Sequence, residues 1–422
     1  MLKRHLEDCR INLQYKLLLL KRLGENTLGN NLLWSILLFY VQPLFWVGLL
    51  YAFMNYRNRV QYTRKNFRVN FVRENFEIKD FLLKGIIPGI LLSGLAIGIG
   101  ISLSFEWYMI YQVLTILLLI VGGYRFIHPI FTFSLSSIVM AVLALLDIEL
   151  PFNQLKPLFQ NNQYTFGSVN NPGQLIANAL LLAAIILLVS VYMMKNQEEE
   201  KMFPILRASK RGKQVAKYQK KSMWLLPLMI VVPGEAFEAI ADWWPLLEIK
   251  GESYAFLFMP ILIGFHFTVS TQLLQEATAK FRTEFRNVAL AGIALFAISY
   301  FVPEVGIFAA GIVLVLSMIV LVRHRRRENQ WAFRYGPTNE GLRVIAIRSS
   351  SPAQRLNLSV GDIILEMNDQ DMNHKDDYNR AVAYNRSYIK MRIRRTDGEI
   401  VITQTPLYDD DFNNLGLLIL EN

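Results

Sequence analysis

Long apolar blocks, separated by short polar or basic stretches, occupy most of the chain as far as Val322. A hydrocarbon core of about 30 Å takes roughly 20 residues of helix to cross, and backbone polar groups in lipid must be bonded within the protein. Eight blocks are therefore predicted to span a bilayer: 81–103, 107–122, 127–146, 175–194, 224–240, 254–274, 288–301 and 305–322. They define an eight-helix transmembrane domain over 81–322, and the chain reads as an α-helical polytopic membrane protein. The opening residues MLKRHLEDCR lead into no compact apolar core with a small-residue cleavage site, so no removable signal peptide is expected. A single cysteine, Cys9, excludes an intramolecular disulfide and reads as an inert thiol.

Charge orients these spans. The net charge of +10 divides unevenly: from Trp331 onward 2 Lys and 9 Arg face 9 Asp and 4 Glu, leaving −2 there and +12 on the membrane part. The loop 55–80 holds Arg57, Arg59, Arg64, Lys65, Arg68, Arg73 and Lys79, and 195–222 holds nine basic residues including Lys210, Arg211 and Lys213. Basic loops mark the cytoplasmic side. Counting spans from 55–80 puts 104–106, 147–174 and 234–253 outside, where Lys156 and Lys250 are the basic residues, and brings Arg323, Arg325, Arg326 and Arg327 back inside. The C-terminus is thus expected in the cytoplasm. Arg57, Arg59, Arg64, Lys65, Lys210, Arg211, Lys213, Arg325, Arg326 and Arg327 are candidate contacts to anionic membrane lipids.

The block 32–54 breaks the alternation, with basic residues on both sides and Pro43 near its middle. A re-entrant hairpin and a further full span both fit, and the six Lys and Arg that precede it favour the hairpin. Residues 1–31 form a basic, partly amphipathic segment suited to the membrane surface. Gly85 with Gly89, and Gly94 with Gly98, would let another helix approach closely, a pattern read as packing within the chain.

Catalytic patterns are hard to find. His5, His128, His266, His324 and His374 are too far apart for an HExxH zinc site, and neither a metal nor a cofactor is expected. Ser93, Ser270 and Ser299 with His128 or His266 are the intramembrane nucleophile and base candidates, and none sits in a GxSx loop. Charged residues such as Glu106, Asp147, Glu235 and Glu304 fall at span ends, which disfavours transport. The chain is expected not to be an enzyme.

Past a basic linker, 323–334, the pattern changes to short alternating runs punctuated by turn residues. Strands are predicted at 341–347, 363–368, 388–394, 400–404 and 415–420, with helices at 351–358, begun by Ser351 and Pro352, and at 375–385. This is a small α+β domain over 335–422. The order G-x-x-V-x-x-I, SPA, a short apolar helix, then GD-I-I-x-x-x-N resembles a PDZ domain, with Asn368-Asp369 where Asn-Gly is common. That resemblance implies a groove in which a peptide or C-terminal ligand adds a strand. Here it would lie between Leu415, Gly416, Leu417 and Leu418 on one side and Tyr378, Ala381, Val382 and Asn385 on the other.

The early QPLFWVGLLYAF followed by an Arg-rich segment, and the closing QTPLYDDDFNNLGLLIL, resemble the MinJ family of division-site topological determinants, with Gln42 where a histidine would be expected. The resemblance implies a scaffold at the division septum and poles that links DivIVA-like and MinD-like proteins and restricts cell division. The competing reading is an adaptor presenting substrates to a separate protease or transporter.

Overall fold

The computed structural model describes residues 27–67, 75–146, 148, 164, 172–195, 202–208, 212–239, 243–247, 253–329, 333–348, 351–385, 387–408 and 415–420. The segment 1–26, and with it most of the expected amphipathic stretch, lies outside these residues. Helices α1 (Thr27–Val41) and α2 (Pro43–Phe67) come first, then α3 (Phe76–Leu83), α4 (Ile86–Ile99), α5 (Phe105–Gly122) and α6 (Pro129–Leu145). Helices α7 (Pro172–Lys195), α8 (Leu274–Phe301) and α9 (Gly306–Glu328) complete the membrane part. Six helical stretches among the described residues are long and apolar enough to cross a membrane, and α6 is a shorter apolar helix. Helix α7 is the most enclosed, with 72% of its apolar window buried against at most 44% for the others. It forms the centre against which α6, α8 and α9 pack.

Local sequence sets the helix ends. Ser104 accepts a hydrogen bond from the Trp107 amide at 3.2 Å, and His128 caps α6 by accepting from the Ile130 amide at 3.1 Å ahead of Pro129. Gly100, at φ +75°, closes α4 in the left-handed conformation. At 32–54 the chain runs helix to helix across Gln42, whose amide still bonds the Leu38 carbonyl at 3.1 Å; Pro43 then opens α2 at its first position.

Two of the eight expected spans are not helices. The blocks 224–240 and 254–274 lie mainly in strands β2 (Gln214–Glu238) and β3 (Ser253–Val269), which pair antiparallel from Tyr218 opposite Val269 to Val232 opposite Ala255. Strand β1 (Phe203–Ala208) pairs with the start of β2. Pro227, Pro233 and Pro260 explain the outcome: a helix interior loses a hydrogen bond at each, whereas a strand edge tolerates them.

An open strand edge in an apolar surround leaves amides unbonded at a cost of several kcal/mol each, and this hairpin is covered position by position. On β3 the outward amides of Phe256 and Phe258 donate to Asn31 Oδ1 (2.8 Å) and Ser35 Oγ (2.7 Å) of α1. The Phe258 carbonyl accepts from Gln42 Nε2 at 2.9 Å, and the Leu262 amide reaches the Tyr111 hydroxyl at 3.4 Å. On β2 the Met229 amide donates to Ser93 Oγ at 2.8 Å, and the Val231 carbonyl accepts from the Leu103 amide at 3.1 Å. Pro227 and Pro260 stand opposite each other in this same outward register, where neither has an N–H to satisfy. Gly85 and Gly89 of the first predicted span serve this packing: a Cβ on either would lie 1.8 Å from the Leu225 carbonyl oxygen or 2.4 Å from that of Pro227. Gly94 and Gly98 face open space.

The C-terminal α+β domain contains β4 (Leu342–Ile347), α10 (Pro352–Arg355), β5 (Ile363–Met367), β6 (Gln370–Asp371), α11 (Lys375–Tyr384), β7 (Tyr388–Arg394), β8 (Ile400–Pro406) and β9 (Leu417–Leu420). The strands form an antiparallel sheet in the order β8-β7-β5-β4-β9, with β6 beside β5. Leu342, Val344, Ile364, Met367, Ile389 and Met391 fill its core. Asn368 and Asp369 both adopt positive φ in the β5–β6 turn, the left-handed geometry that Asn and Asp tolerate best after glycine. Ser351 precedes α10 without capping it; its hydroxyl donates to the Arg348 carbonyl.

Candidate functional site: the edge strand of the C-terminal domain

The C-terminal domain is seated on the end of the β1–β2–β3 sheet. Tyr218 of β2 donates its hydroxyl hydrogen to the Ile345 carbonyl of β4 at 2.5 Å, and its ring meets that of Tyr335 edge-on at 4.6 Å. The Tyr335 carbonyl accepts from the Ala216 amide at 3.0 Å, and its hydroxyl accepts from the Leu274 amide at 3.2 Å. Arg343 then bonds the carbonyls of Gly336 (2.7 Å) and Gly361 (3.1 Å), holding the incoming chain against the domain. Ile345 and Leu420 share the large apolar core of the membrane part. Buried aromatic and aliphatic contacts together with these bonds fix one orientation of the domain.

Strand β9 ends the sheet, so one of its edges has no strand partner among the described residues. Its side chains alternate. Leu417 and Ile419 turn inward with Tyr378 and Val382 of α11, while Leu418 and Leu420 turn toward the membrane-side core. Of the eight residues expected to line a groove, Leu415 and Ala381 are buried core, and Tyr378, Val382 and Leu417 pack partly buried against that core. Burial pushes the Tyr378 phenol above its usual range. Gly416, at φ +80°, occupies the turn into β9 with Ser351 Oγ 2.2 Å from where a Cβ would stand, and its carbonyl accepts from the Arg348 amide at 2.7 Å. Leu418 lies on the opposite face. Asn385 is occupied elsewhere, its Oδ1 accepting from the amides of Ser387 (3.0 Å) and Tyr388 (3.4 Å) at the entry to β7. The geometry therefore gathers Leu415, Leu417, Tyr378, Ala381 and Val382 into one cluster and separates Leu418 and Asn385 from it.

The basic residues divide in a similar way. Arg57, Arg64, Lys65, Lys213, Arg325 and Arg326 are exposed, while Lys210 and Arg211 lie outside the described residues. Arg59 is not a surface residue: it is 2% exposed and bonds Glu77 through Nε (2.5 Å) and Nη2 (3.1 Å). Arg327 makes a two-pronged pair with Glu284 at 2.7 and 2.9 Å. The residues expected as a linker from 323 continue α9 to Glu328, whose carboxylate accepts from the amides of Ser270 (2.5 Å) and Thr271 (3.1 Å) and ties α9 to the end of β3.

His128 is the one candidate base that meets a serine, and the partner is Ser190. Its Nδ1 accepts the Ile130 amide, so a neutral ring carries its proton on Nε2 and donates to Ser190 Oγ at 2.8 Å. Ser190 in turn donates to the Leu187 carbonyl at 2.8 Å. This polarity is the reverse of a nucleophile handing its proton to a base.

The residue pattern does not give the domain seat or the buried hairpin directly. Its signals for the hairpin are proline in the middle of both apolar blocks, Asn31 and Ser35 one turn apart in an apolar helix, and Gln42 just past that helix.

A bundle of apolar helices around a polar-capped hairpin, followed by an α+β domain with an open edge strand, defines a polytopic helical membrane protein with an appended α+β module. The chain is similar to the cell division topological determinant MinJ of Bacillus subtilis (strain 168), 28% identical over 399 residues that cover 93% of this chain and 96% of that one. It is also similar to a probable cell division topological determinant MinJ of Lacticaseibacillus paracasei, 23% identical over 58% of this chain and 65% of that one. No family model and no solved structure matches. The likeness along both chains is thus to the cell division topological determinants named MinJ.

Proposed function

We propose that this protein is a non-enzymatic membrane scaffold that recruits cytoplasmic division-site proteins and helps to position or restrict cell division. The observation that carries this reading is the similarity to a cell division topological determinant along nearly the whole of both chains. Recruitment is proposed to use the PDZ-like C-terminal domain, a peptide or C-terminal ligand adding to the free edge of β9 beside Tyr378 and Val382, together with the basic loops.

A cytoplasmic C-terminus fits the charge pattern. Counted from the basic end of α2, with the two strands of the hairpin taken as crossings in place of two helices, the proposed number of crossings before the C-terminal domain stays even. That domain then lies on the same side as Arg57, Arg64 and Lys65. DivIVA-like and MinD-like proteins are the proposed partners, at the septum and poles, and weak contacts gain from confinement to the membrane plane.

Deleting the chain from its host is expected to change cell length and displace division sites, and crosslinked membranes are expected to yield division proteins with it. Normal septum placement together with an accumulating uncleaved membrane substrate would instead make the chain an adaptor for proteolysis.

A further inference from the structure

A cluster of cations stands where the β1–β2–β3 sheet leaves the helical bundle. Lys217 and Lys221 project from the same face of β2, with His266 directly opposite Lys221 on β3. Arg207 of β1 lies diagonal to Lys217, since Ile205 pairs with Lys217 and Arg207 with Val215. Arg125 enters from the 3-10 turn Gly123–Arg125, which is held over the same sheet face because the Tyr124 carbonyl oxygen sits 3.0 Å from where a Cβ of Gly264 would be. Arg125, Arg207 and Arg325 are near enough to Lys217 to repel its ammonium group, and Lys221, Arg125 and Lys217 act in the same way on His266.

The neighbouring acids are already engaged. Glu328 holds the Ser270 and Thr271 amides, Glu77 is bonded to Arg59, and Asp80 pairs with Lys84 at 3.0 Å. Among the described residues none of Arg125, Arg207, Lys217 and Lys221 is in an ion pair; the acidic run 198–200 lies outside them. Glu328 is near enough to offset part of the repulsion on Lys217, but one carboxylate against Arg125, Arg207, Lys217 and Lys221 leaves the face positive, and an anion joining it would lower the energy of the fold.

Location identifies the anion. Arg125 follows α5 after a single turn, and the last residues of α5, Ile120 and Val121, are 74% and 86% exposed on its lipid-facing side. Leu117 and Val113 continue that exposed stripe down the helix. Arg125 therefore stands at headgroup level, directly above a surface that acyl chains cover.

We propose that Arg125, Lys217 and Lys221, supported by Arg207 and His266, bind the phosphate of an anionic phospholipid in the leaflet facing the C-terminal domain, with the acyl chains lying along α5. The lipid would join the sheet that carries the domain to the helical bundle.

The test uses the full chain in nanodiscs of mixed phosphatidylglycerol and phosphatidylcholine, with lipid retained after detergent extraction measured by mass spectrometry. Retained phosphatidylglycerol is expected to fall about thirtyfold in Lys217→Gln/Lys221→Gln, from roughly 1 kcal/mol per basic residue near the surface, and to fall in Arg125→Gln, a substitution of an exposed side chain. Lys217→Arg/Lys221→Arg keeps the charge and is expected to retain lipid at the parent level, as is Lys280→Gln/Arg286→Gln, which removes exposed charge on α8. Parent-level retention in Lys217→Gln/Lys221→Gln and Arg125→Gln would overturn the site, and an equal loss in the α8 variant would replace it with diffuse surface attraction. Binding of inorganic phosphate to the purified chain without selective retention of phosphatidylglycerol would make the ligand a soluble anion and overturn the lipid assignment.

Discussion

The hydroxyl of Tyr218, on a strand rooted in the membrane part, donates to the carbonyl of Ile345, in the sheet of the C-terminal domain, across 2.5 Å. One side chain thus joins two sheets. The contact is buried and its ring is braced by Tyr335, so it contributes to orienting the domain as well as to its attachment.

Tyr218→Phe keeps the ring and removes the donor, leaving the Ile345 carbonyl without that bond. A loss of about 1–3 kcal/mol in domain seating is expected for a buried group left unsatisfied. Amide exchange across 342–347 should become faster, and limited proteolysis between the two parts should increase.

The hairpin edge makes a second prediction. Ser35→Ala takes the acceptor away from the Phe258 amide, which is expected to cost about 1–3 kcal/mol, whereas Ser35→Thr retains an acceptor and most of the stability. Thermal unfolding of the detergent-solubilised chain separates the two; equal melting temperatures for Ala and parent would show that the strand edge is satisfied in another way.

Arg59 and Glu77 are 1% and 4% exposed at their side chains. Removing one partner strands a buried charge, and Arg59→Met is expected to destabilise by about 3–5 kcal/mol, while Arg59→Met/Glu77→Leu recovers most of that loss. The melting temperatures of parent, single and double variants check the cycle.

Asp377 accepts from the amides of His374 (2.7 Å) and Asn373 (3.1 Å) and pairs with Arg380, and these bonds hold its carboxyl below the ordinary 3.8. A folded-state pKa below the unfolded value means that the support this carboxylate gives α11 is present above the unfolded value and disappears as pH falls through the folded one. Amide exchange in 375–384 should accelerate as pH falls below about 4, after correction for intrinsic rates, and Asp377→Asn should flatten that dependence.

Much of the architecture was legible because it depends on local pattern. Apolar length located α5, α7 and α9, and strict alternation with Gly398 at a turn located β7 and β8. The candidate groove was legible only in part. Leu417, Tyr378 and Val382 converge because alternation dictates which strand residues face the helix, but Asn385 is drawn away by amides two and three residues along the chain. Burial of Arg59 was invisible, since a basic residue in a basic stretch reads as surface until Glu77 is seen to fold back onto it.

Hydrophobic length and composition alone establish that the chain enters a bilayer and carries an α+β domain after it, because the period and extent of apolar runs are properties of the linear order. They do not establish whether 224–240 and 254–274 are helices or strands: both satisfy an apolar surround if their polar backbone is bonded. Tertiary packing decided that, by bringing Asn31, Ser35, Ser93 and Tyr111 from three helices, and Gln42 from the junction of α1 and α2, to a strand edge that would otherwise be left without partners.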